Sequence, residues 1–456
     1  MSKRTNFGYG FVRVPIVLVL LITGICIAIN PSSKAQDLRI AAGNNQSSAT
    51  QADQNRKPAT DHYQLSHEKY GKAVAYSRAW YTLYFVSVAW GFVVLFFLLR
   101  LGVIARLRDA AERLSGRLYL QAMIFVPGLL LLLDLSHLPI SIYWHWFSLR
   151  YQQSVQGWGS WFWDWGKANL LEVALGVGLG LLLFVVIRWK PRTWWLYFWY
   201  AAVPVTLFLF FISPWFIDPM FNTFSPLQDK QPELVTAIAK LTNHAGVPIP
   251  PERMFLMQAS AKTNQLNAYV TGFGASKRVV IWDTTIQKTT ADELLFIVGH
   301  ELGHYVLGHV VKGFALSLAG LLIAFYVAYR VLQWALARWG TQWGARGQGD
   351  WVTLAILLLI MNGITFLSAP IDSSVSRTIE HAADVYGLEV IHGVIPNSAE
   401  VAAHAFQVLG EVDLDEPNPP WIIKIWLYSH PPISERLEFA HTYDPWSKGE
   451  SPRYVK

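Results

Sequence analysis

Apolar residues in this chain fall into long unbroken runs, and alternating patterns are confined to short stretches between them. A helix needs about 20 apolar residues to cross roughly 30 Å of hydrocarbon. Six runs approach that length, at residues 80–99, 119–138, 170–187, 194–217, 314–335 and 351–369. A seventh, at 14–29, follows Lys3, Arg4 and Arg13 and precedes the small-x-small pattern Ser33-Lys34-Ala35, so it reads as a first span or as a cleaved signal peptide. Trp and Tyr gather at the ends of the runs, as in Tyr143-Trp144 and Trp194-Trp195, where amphipathic rings favour the headgroup zone. Pro127 and Pro204 inside runs suggest kinks. Asp134, His137 and Glu172 must face the protein interior or water, or snorkel from a helix end.

Between the runs the pattern changes. Residues 30–65 are polar and read as a loop with no core of its own. Residues 254–257 and 279–282 are short β-prone runs bounded by turn formers, hence strands of a small sheet. Residues 292–311 and 376–391 contain no internal proline and read as helices, the second entered directly from the last span.

Composition agrees with a membrane protein that carries some water-soluble mass. Of the 456 residues, 53% are hydrophobic and 15% charged, against a soluble norm of about 25% charged. Disorder is excluded by the apolar content, and a disulfide scaffold by the single cysteine, Cys26. The net charge of +6 does not imply a nucleic-acid partner, because the basic residues flank apolar runs and anchor them at the bilayer surface. Loop charge gives a topology: five Arg lie in 100–117, Arg188, Lys190 and Arg192 follow the third run, and Arg338 and Arg346 follow the fifth. These loops should be cytoplasmic and the two water-soluble blocks exoplasmic.

The chemistry starts at His300-Glu301-Leu302-Gly303-His304. On a helix, residues four apart share a face, so His300 and His304 can offer imidazole nitrogens to one zinc ion while Glu301 reaches the attacking water. The alternative is a pair of hydrogen-bonded core histidines, which the apolar stretch before them would make costly without a partner. Zinc needs a third protein ligand. On a continuous helix His309 would lie about 140° round from His304 and point away. The stretch from Ser376 to Asp384 offers Glu380, with His381 as its competitor, and Asp384 shares a face with Glu380 and can accept the free N–H of a ligating histidine.

These residues, together with Pro214 to Leu227, Asn267-Ala268-Tyr269-Val270-Thr271-Gly272, Ser276-Lys277-Arg278 to Thr284, and Ser429-His430-Pro431-Pro432 to Arg436, resemble the type I CAAX prenyl proteases, which are membrane-bound gluzincin metallopeptidases. The resemblance implies a mainly α-helical membrane protein with six or seven spanning helices around a chamber, closed by a zinc-protease domain with a small β-sheet. It implies one Zn2+ held by His300, His304 and Glu380, with Glu301 as general base and acid. Asp384 would orient a ligand, His430 would stabilise the oxyanion, and Asn267, Ala268 and Tyr269 would hold substrate backbone by strand addition. Arg436 is grouped with the substrate-binding residues as electrostatic support. The division expected is a signal peptide or first span at 1–35, a polar loop at 36–76, a membrane domain at 77–217, and a metallopeptidase domain at 218–456 that includes two spans. The substrate would be a peptide or protein tail, with or without a lipid modification, and the bilayer would be the other partner. The loop charges point to an exoplasmic zinc domain, and a signal-peptide-like first segment followed by a polar stretch suits a bacterial inner membrane. Alternatives are a membrane quality-control protease of the HtpX type and a non-catalytic, zinc-stabilised scaffold.

Overall fold

The computed structural model describes residues 63–272 and 276–455. The run at 14–29 lies outside the described residues. Each of the other six runs forms a long helix: α1 (His67–Arg100), α3 (Leu118–Arg150), α4 (Trp158–Trp189), α5 (Trp194–Ile212), α9 (His309–Trp339) and α10 (Val352–Ile391). A shorter amphipathic helix, α2 (Val103–Leu114), lies between α1 and α3. The long helices exceed the apolar runs because apolarity marks the depth of hydrocarbon, whereas hydrogen bonding carries a helix on into water. Helix α1 thus starts inside the expected polar loop, where Ser66 Oγ accepts from Lys69 N at 3.3 Å and caps the first turn. Helix α5 runs on through a π-helical turn, Ser213–Ile217, into a last turn at Asp218–Phe221.

The membrane helices pack as neighbours α1 with α3 and α10, α3 with α4, α4 with α5, and α5 with α9. Their core is filled by large side chains. Trp351 is fully buried between Phe125 and Phe184, and its indole N–H donates to Gln121 Oε1 at 3.0 Å. Asp134 is buried in the middle of α3, not exposed near a helix end. His137 Nδ1 lies 3.0 Å from the carbonyl of Leu133, so its ring hydrogen-bonds its own helix.

A four-stranded sheet follows α5: β1 (Phe224–Pro226), β2 (Met254–Met257), β3 (Ala268–Thr271) and β4 (Arg278–Trp282), in spatial order β1-β2-β4-β3. Strands β2 and β4 are parallel, while β1 and β3 pair antiparallel at the edges. Among the described residues no strand pairs with the outer edge of β3. One face of the sheet, through Met254, Leu256, Ala268, Val279 and Ile281, joins a core with α6 (Pro232–His244) and α8 (Ala291–Val306), the latter reached through the short α7 (Asp283–Lys288). That core also takes in the last part of α10, α11 (Ser398–Val412) and α13 (Ile433–Thr442). A short helix, α12 (Trp421–Leu427), precedes α13. The block is pinned to the membrane helices at Asp164, which receives Lys262 Nζ at 2.9 Å and Lys167 Nζ at 2.8 Å.

One expectation needs correction, and another is met within a longer helix. The helix expected over 292–311 stops at Val306, because Gly308 takes a left-handed conformation (φ +68°) that ends one helix and lets α9 start at His309. The helix expected over 376–391 is the last part of α10, whose 40 residues continue past Pro370 without a break.

Candidate metal centre

Helix α8 starts with a capping box in which Glu293 N donates to Thr290 Oγ1 at 3.3 Å and Thr290 N donates to Glu293 Oε2 at 2.9 Å. Six residues further on it crosses α10 at glycines. A Cβ on Gly303 would stand 3.0 Å from Tyr386 Cβ, and one on Gly299 would stand 2.8 Å from Val390 Cγ1. Facing them, a Cβ on Gly387 would sit 2.9 Å from the backbone nitrogen of His300. Small residues therefore set how closely the two helices approach, the device used wherever helix backbones must nearly touch.

That approach brings three ligand atoms together. His304 Nε2 lies 3.2 Å from His300 Nε2, and Glu380 Oε2 lies 3.3 Å from His300 Nε2 and 3.6 Å from His304 Nε2. Bonds of about 2.0–2.2 Å in a tetrahedral array would separate ligand atoms by roughly 3.3–3.5 Å. The triangle thus fits one ion, and two imidazoles with a carboxylate suit a divalent transition metal.

Asp384 stands behind His300. It is fully buried, and its Oδ1 lies 2.8 Å from His300 Nδ1, a close approach that favours the ring proton on Nδ1 and leaves the Nε2 lone pair for a metal. Arg436 grips the same carboxylate, with Nε 2.9 Å from Oδ2 and Nη2 2.5 Å from Oδ1, and its guanidinium lies 4.3 Å from the Phe406 ring centroid. Burial opposes charge on His300, but the accepting carboxylates of Asp384 and Glu380 outweigh it and raise its pKa above the ordinary value. A pocket with two carboxylates calls for a cation, whether that proton or a metal.

His430 approaches from the segment before α13. Its Nε2 lies 3.0 Å from Glu380 Oε2 and its Nδ1 lies 3.1 Å from Ser429 Oγ. Burial pushes its pKa down to about 3 against the pull of Glu380, so the ring is neutral. Glu301 is half-buried on α8, about 100° round from His300. His381, the competing ligand, lies outside the triangle with its ring centroid 5.0 Å from that of Phe439.

Asn267, Ala268 and Tyr269 are not part of the triangle: Ala268 and Tyr269 open β3, which packs against α8, and Asn267 immediately precedes it. Asn267 is fixed through its backbone: its N–H donates to Thr285 Oγ1 at 2.8 Å and its carbonyl accepts from Thr285 Oγ1 at 2.7 Å. The Ala268 side chain is buried in the core on the α8 side, and Tyr269 packs on the opposite face with Phe255 and Trp282. Along the outer edge Ala268 can offer its backbone, whereas Tyr269, opposite Val280, directs its own backbone towards β4. Arg436 is 3% exposed and sits behind His300.

The comparisons with known proteins agree on one family. Residues 228–444 match the profile of peptidase family M48, and residues 46–223 match the one described as CAAX prenyl protease N-terminal, five membrane helices. YhfN of Bacillus subtilis (strain 168), described as an uncharacterized metalloprotease, is 37% identical over 368 residues, which is 81% of this chain and 84% of that protein. CAAX prenyl protease 1 of Saccharomyces cerevisiae is 30% identical over 341 residues, covering 70% of this chain and 71% of its own. The chain belongs to the CAAX prenyl protease family of M48 peptidases. The crystal structure of S. mikatae Ste24p shares the fold, with a TM-score of 0.70 at 23% identity over 82% of this chain and 89% of that one. This peptidase is accordingly a multi-pass membrane metallopeptidase, a hydrolase of peptide bonds.

Two parts of the peptidase centre escaped the motif reading. The glycine crossing had a visible signal, since Gly299 and Gly303 form a small-xxx-small pair one residue ahead of each histidine. The position of His309 had one too, in Gly308, which can end a helix. With α8 closed at Val306, His309 does not point away: its Nδ1 lies 3.3 Å from His304 Nδ1.

Proposed function

We propose that His300, His304 and Glu380 hold one zinc ion, and that the chain hydrolyses peptide bonds in peptides or protein tails. The triangle of ligand atoms with edges of 3.2, 3.3 and 3.6 Å carries this reading. Zinc, when bound, supplies Lewis acidity towards water and the scissile carbonyl. Glu301 takes the proton of the attacking water and returns it to the leaving amine. His430, a neutral ring with Nε2 aimed into the ligand set, donates a hydrogen bond to the carbonyl oxygen as charge develops there. The segment Asn267-Ala268-Tyr269 holds the substrate as an added strand on the open edge of β3, chiefly through the outward-facing backbone of Ala268. Asp384 keeps His300 in the ligating tautomer, and Arg436 acts through Asp384 instead of touching substrate.

The test is Glu301→Gln in purified protein. Zinc content should stay at the wild-type level while peptide hydrolysis falls by about 10²–10⁴-fold. Undiminished turnover would sink the assignment.

Relatives named prenyl proteases suggest a lipid-modified tail as substrate, and rates on a farnesylated peptide and its unmodified form measure whether the lipid is needed. We also infer a bacterial inner membrane with an exoplasmic zinc block. In support, the arginine-bearing loops meet at one end: Arg346 pairs with Glu112 at 2.7 Å and Asp109 at 2.8 Å, and Arg188 reaches the carbonyl of Gly349 at 3.3 Å. A cysteine introduced at Arg346 should react with a membrane-impermeant thiol reagent only from the cytoplasmic side, and labelling from outside intact cells would reverse the topology.

A further inference from the structure

The two imidazoles of the metal centre have different partners on their far nitrogens. His300 Nδ1 faces the carboxylate of Asp384 at 2.8 Å, whereas His304 Nδ1 faces the ring nitrogen Nδ1 of His309 at 3.3 Å. The ring centroids of His304 and His309 are 5.3 Å apart at 70°, so this is an edge-on approach and not a stack. His309 is 8% exposed and is the first residue of α9. It reaches His304 because the chain turns at Gly308, whose N–H donates to the carbonyl of Tyr305 at 3.1 Å. Lys312, one turn into α9, holds the turn by donating to the carbonyl of Leu307 at 2.9 Å.

We propose that His309 is a positioning residue that fixes the tautomer and ring angle of His304; this rests on the zinc reading above. A hydrogen bond between two ring nitrogens needs a donor and an acceptor, so only one of the two carries the shared proton. If His309 were the donor, His304 would keep its own proton on Nε2 and could not ligate. If His309 is the acceptor, the proton of His304 sits on Nδ1 and its Nε2 lone pair points into the triangle with His300 Nε2 and Glu380 Oε2. Metal binding selects the second arrangement, which requires His309 to carry its proton on Nε2. His309 itself stays out of the ligand set, consistent with the three-residue cluster. The pairing also links a ligand directly to the start of a membrane-spanning helix, so a shift of α9 along its axis would move the ring of His304.

The side chain of His304 is 22% exposed, so water can partly replace a lost acceptor. The expected effect is therefore at the low end of the 10–100-fold range known for such partners. The test uses the full chain in detergent, with zinc affinity read by chelator competition and the thermal midpoint of the zinc-free protein as a folding control. His309→Leu removes the acceptor, while His309→Asn keeps an oxygen near the position of Nδ1. His309→Leu should weaken zinc binding about 10-fold, and His309→Asn should stay within about 3-fold of wild type. Wild-type zinc affinity in His309→Leu overturns the role, and so does equal weakening in both variants. If the wild-type chain itself fails to bind zinc, the metal assignment falls first and the role of His309 falls with it.

Discussion

Helix α10 is fixed at both ends by a buried aspartate paired with an arginine, and the two aspartates serve different partners. Asp350 stands just before the helix, with Oδ2 2.5 Å from Arg108 Nη1 and 2.8 Å from Arg346 N, and with Oδ1 accepting from Val352 N at 3.1 Å. Asp384 stands two turns before its end, gripped by Arg436, with Oδ1 2.8 Å from His300 Nδ1. At the first end the carboxylate satisfies backbone amides and closes a loop. At the second the same pairing orients an imidazole, so what would otherwise be structural support becomes control of a metal ligand. A buried ion pair is thus no sign of function by itself, and the third group it serves decides its role.

The largest effects should come from cutting each pair. Asp384→Ala strands the buried Arg436 and should cost about 3–5 kcal/mol in thermal or denaturant unfolding, and Asp350→Ala, which leaves Arg108 only the half-exposed Asp109 and the carbonyl of Gly344, should cost up to that much. They should part on zinc. In protein that remains folded, Asp384→Ala should weaken zinc binding by about 10–100-fold, and Asp350→Ala should leave it unchanged. Equal zinc losses in both would erase the distinction between the ends.

Next in size is the helix crossing. Gly387→Ala places a methyl 2.9 Å from His300 N and 3.0 Å from His300 Cα, atoms that cannot rotate aside. The backbones must separate, at about 1–3 kcal/mol, and the ligand triangle should open with them. Gly178 on α4 is the contrasting case, since a Cβ there would meet no atom within 4 Å. Gly178→Ala should therefore gain up to about 1 kcal/mol of helix stability and leave zinc affinity alone. Identical behaviour of the two variants in thermal midpoint and zinc titration would remove the glycine crossing from the account.

The same contrast governs what could be read from residues alone. The spanning helices were legible because hydrocarbon demands long apolar segments, and each of the six runs from 80–99 onward lies on one. His300 and His304 were legible as neighbours because four residues make about one turn, and so were Glu380 and Asp384. The contact of one pair with the other was not, since it depends on Gly299, Gly303 and Gly387 meeting across more than 80 residues of chain. His309 was misread because helical geometry was extended through Gly308, where the chain turns. Strand β1 holds three residues and ends in Pro226, too short for a period of two to register.

A smaller effect tests the start of α8. Glu293 is buried, and although burial alone would raise its pKa, its contacts with His404 Nδ1 at 2.7 Å and with Thr290 hold it below the ordinary value. A carboxylate with a lowered pKa contributes stability above its unfolded value, near 4.5, and loses it as pH falls through the lower folded value. Glu293→Gln should therefore cost about 1 kcal/mol at neutral pH and little at pH values where the carboxylate is protonated. A constant difference in thermal midpoint across that range would contradict the linkage.

The smallest effect belongs to the exposed part of the first arginine network. Arg346 is paired with Asp109 and Glu112, but its side chain is 58% exposed and theirs are 43% and 34% exposed. Water and salt screen such pairs, so Arg346→Ala should cost less than about 1 kcal/mol, and the loss should shrink further near 1 M salt. Arg108, one layer beneath with 5% of its side chain exposed, should behave oppositely: Arg108→Ala strands Asp350 and should cost several times more, nearly independent of salt. The backbone amide of Arg346 still caps Asp350 after its side chain is gone, which is why the loop should hold. If Arg346→Ala unfolds the protein as readily as Arg108→Ala, the membrane end of α10 is secured by its surface charges and not by the buried pair.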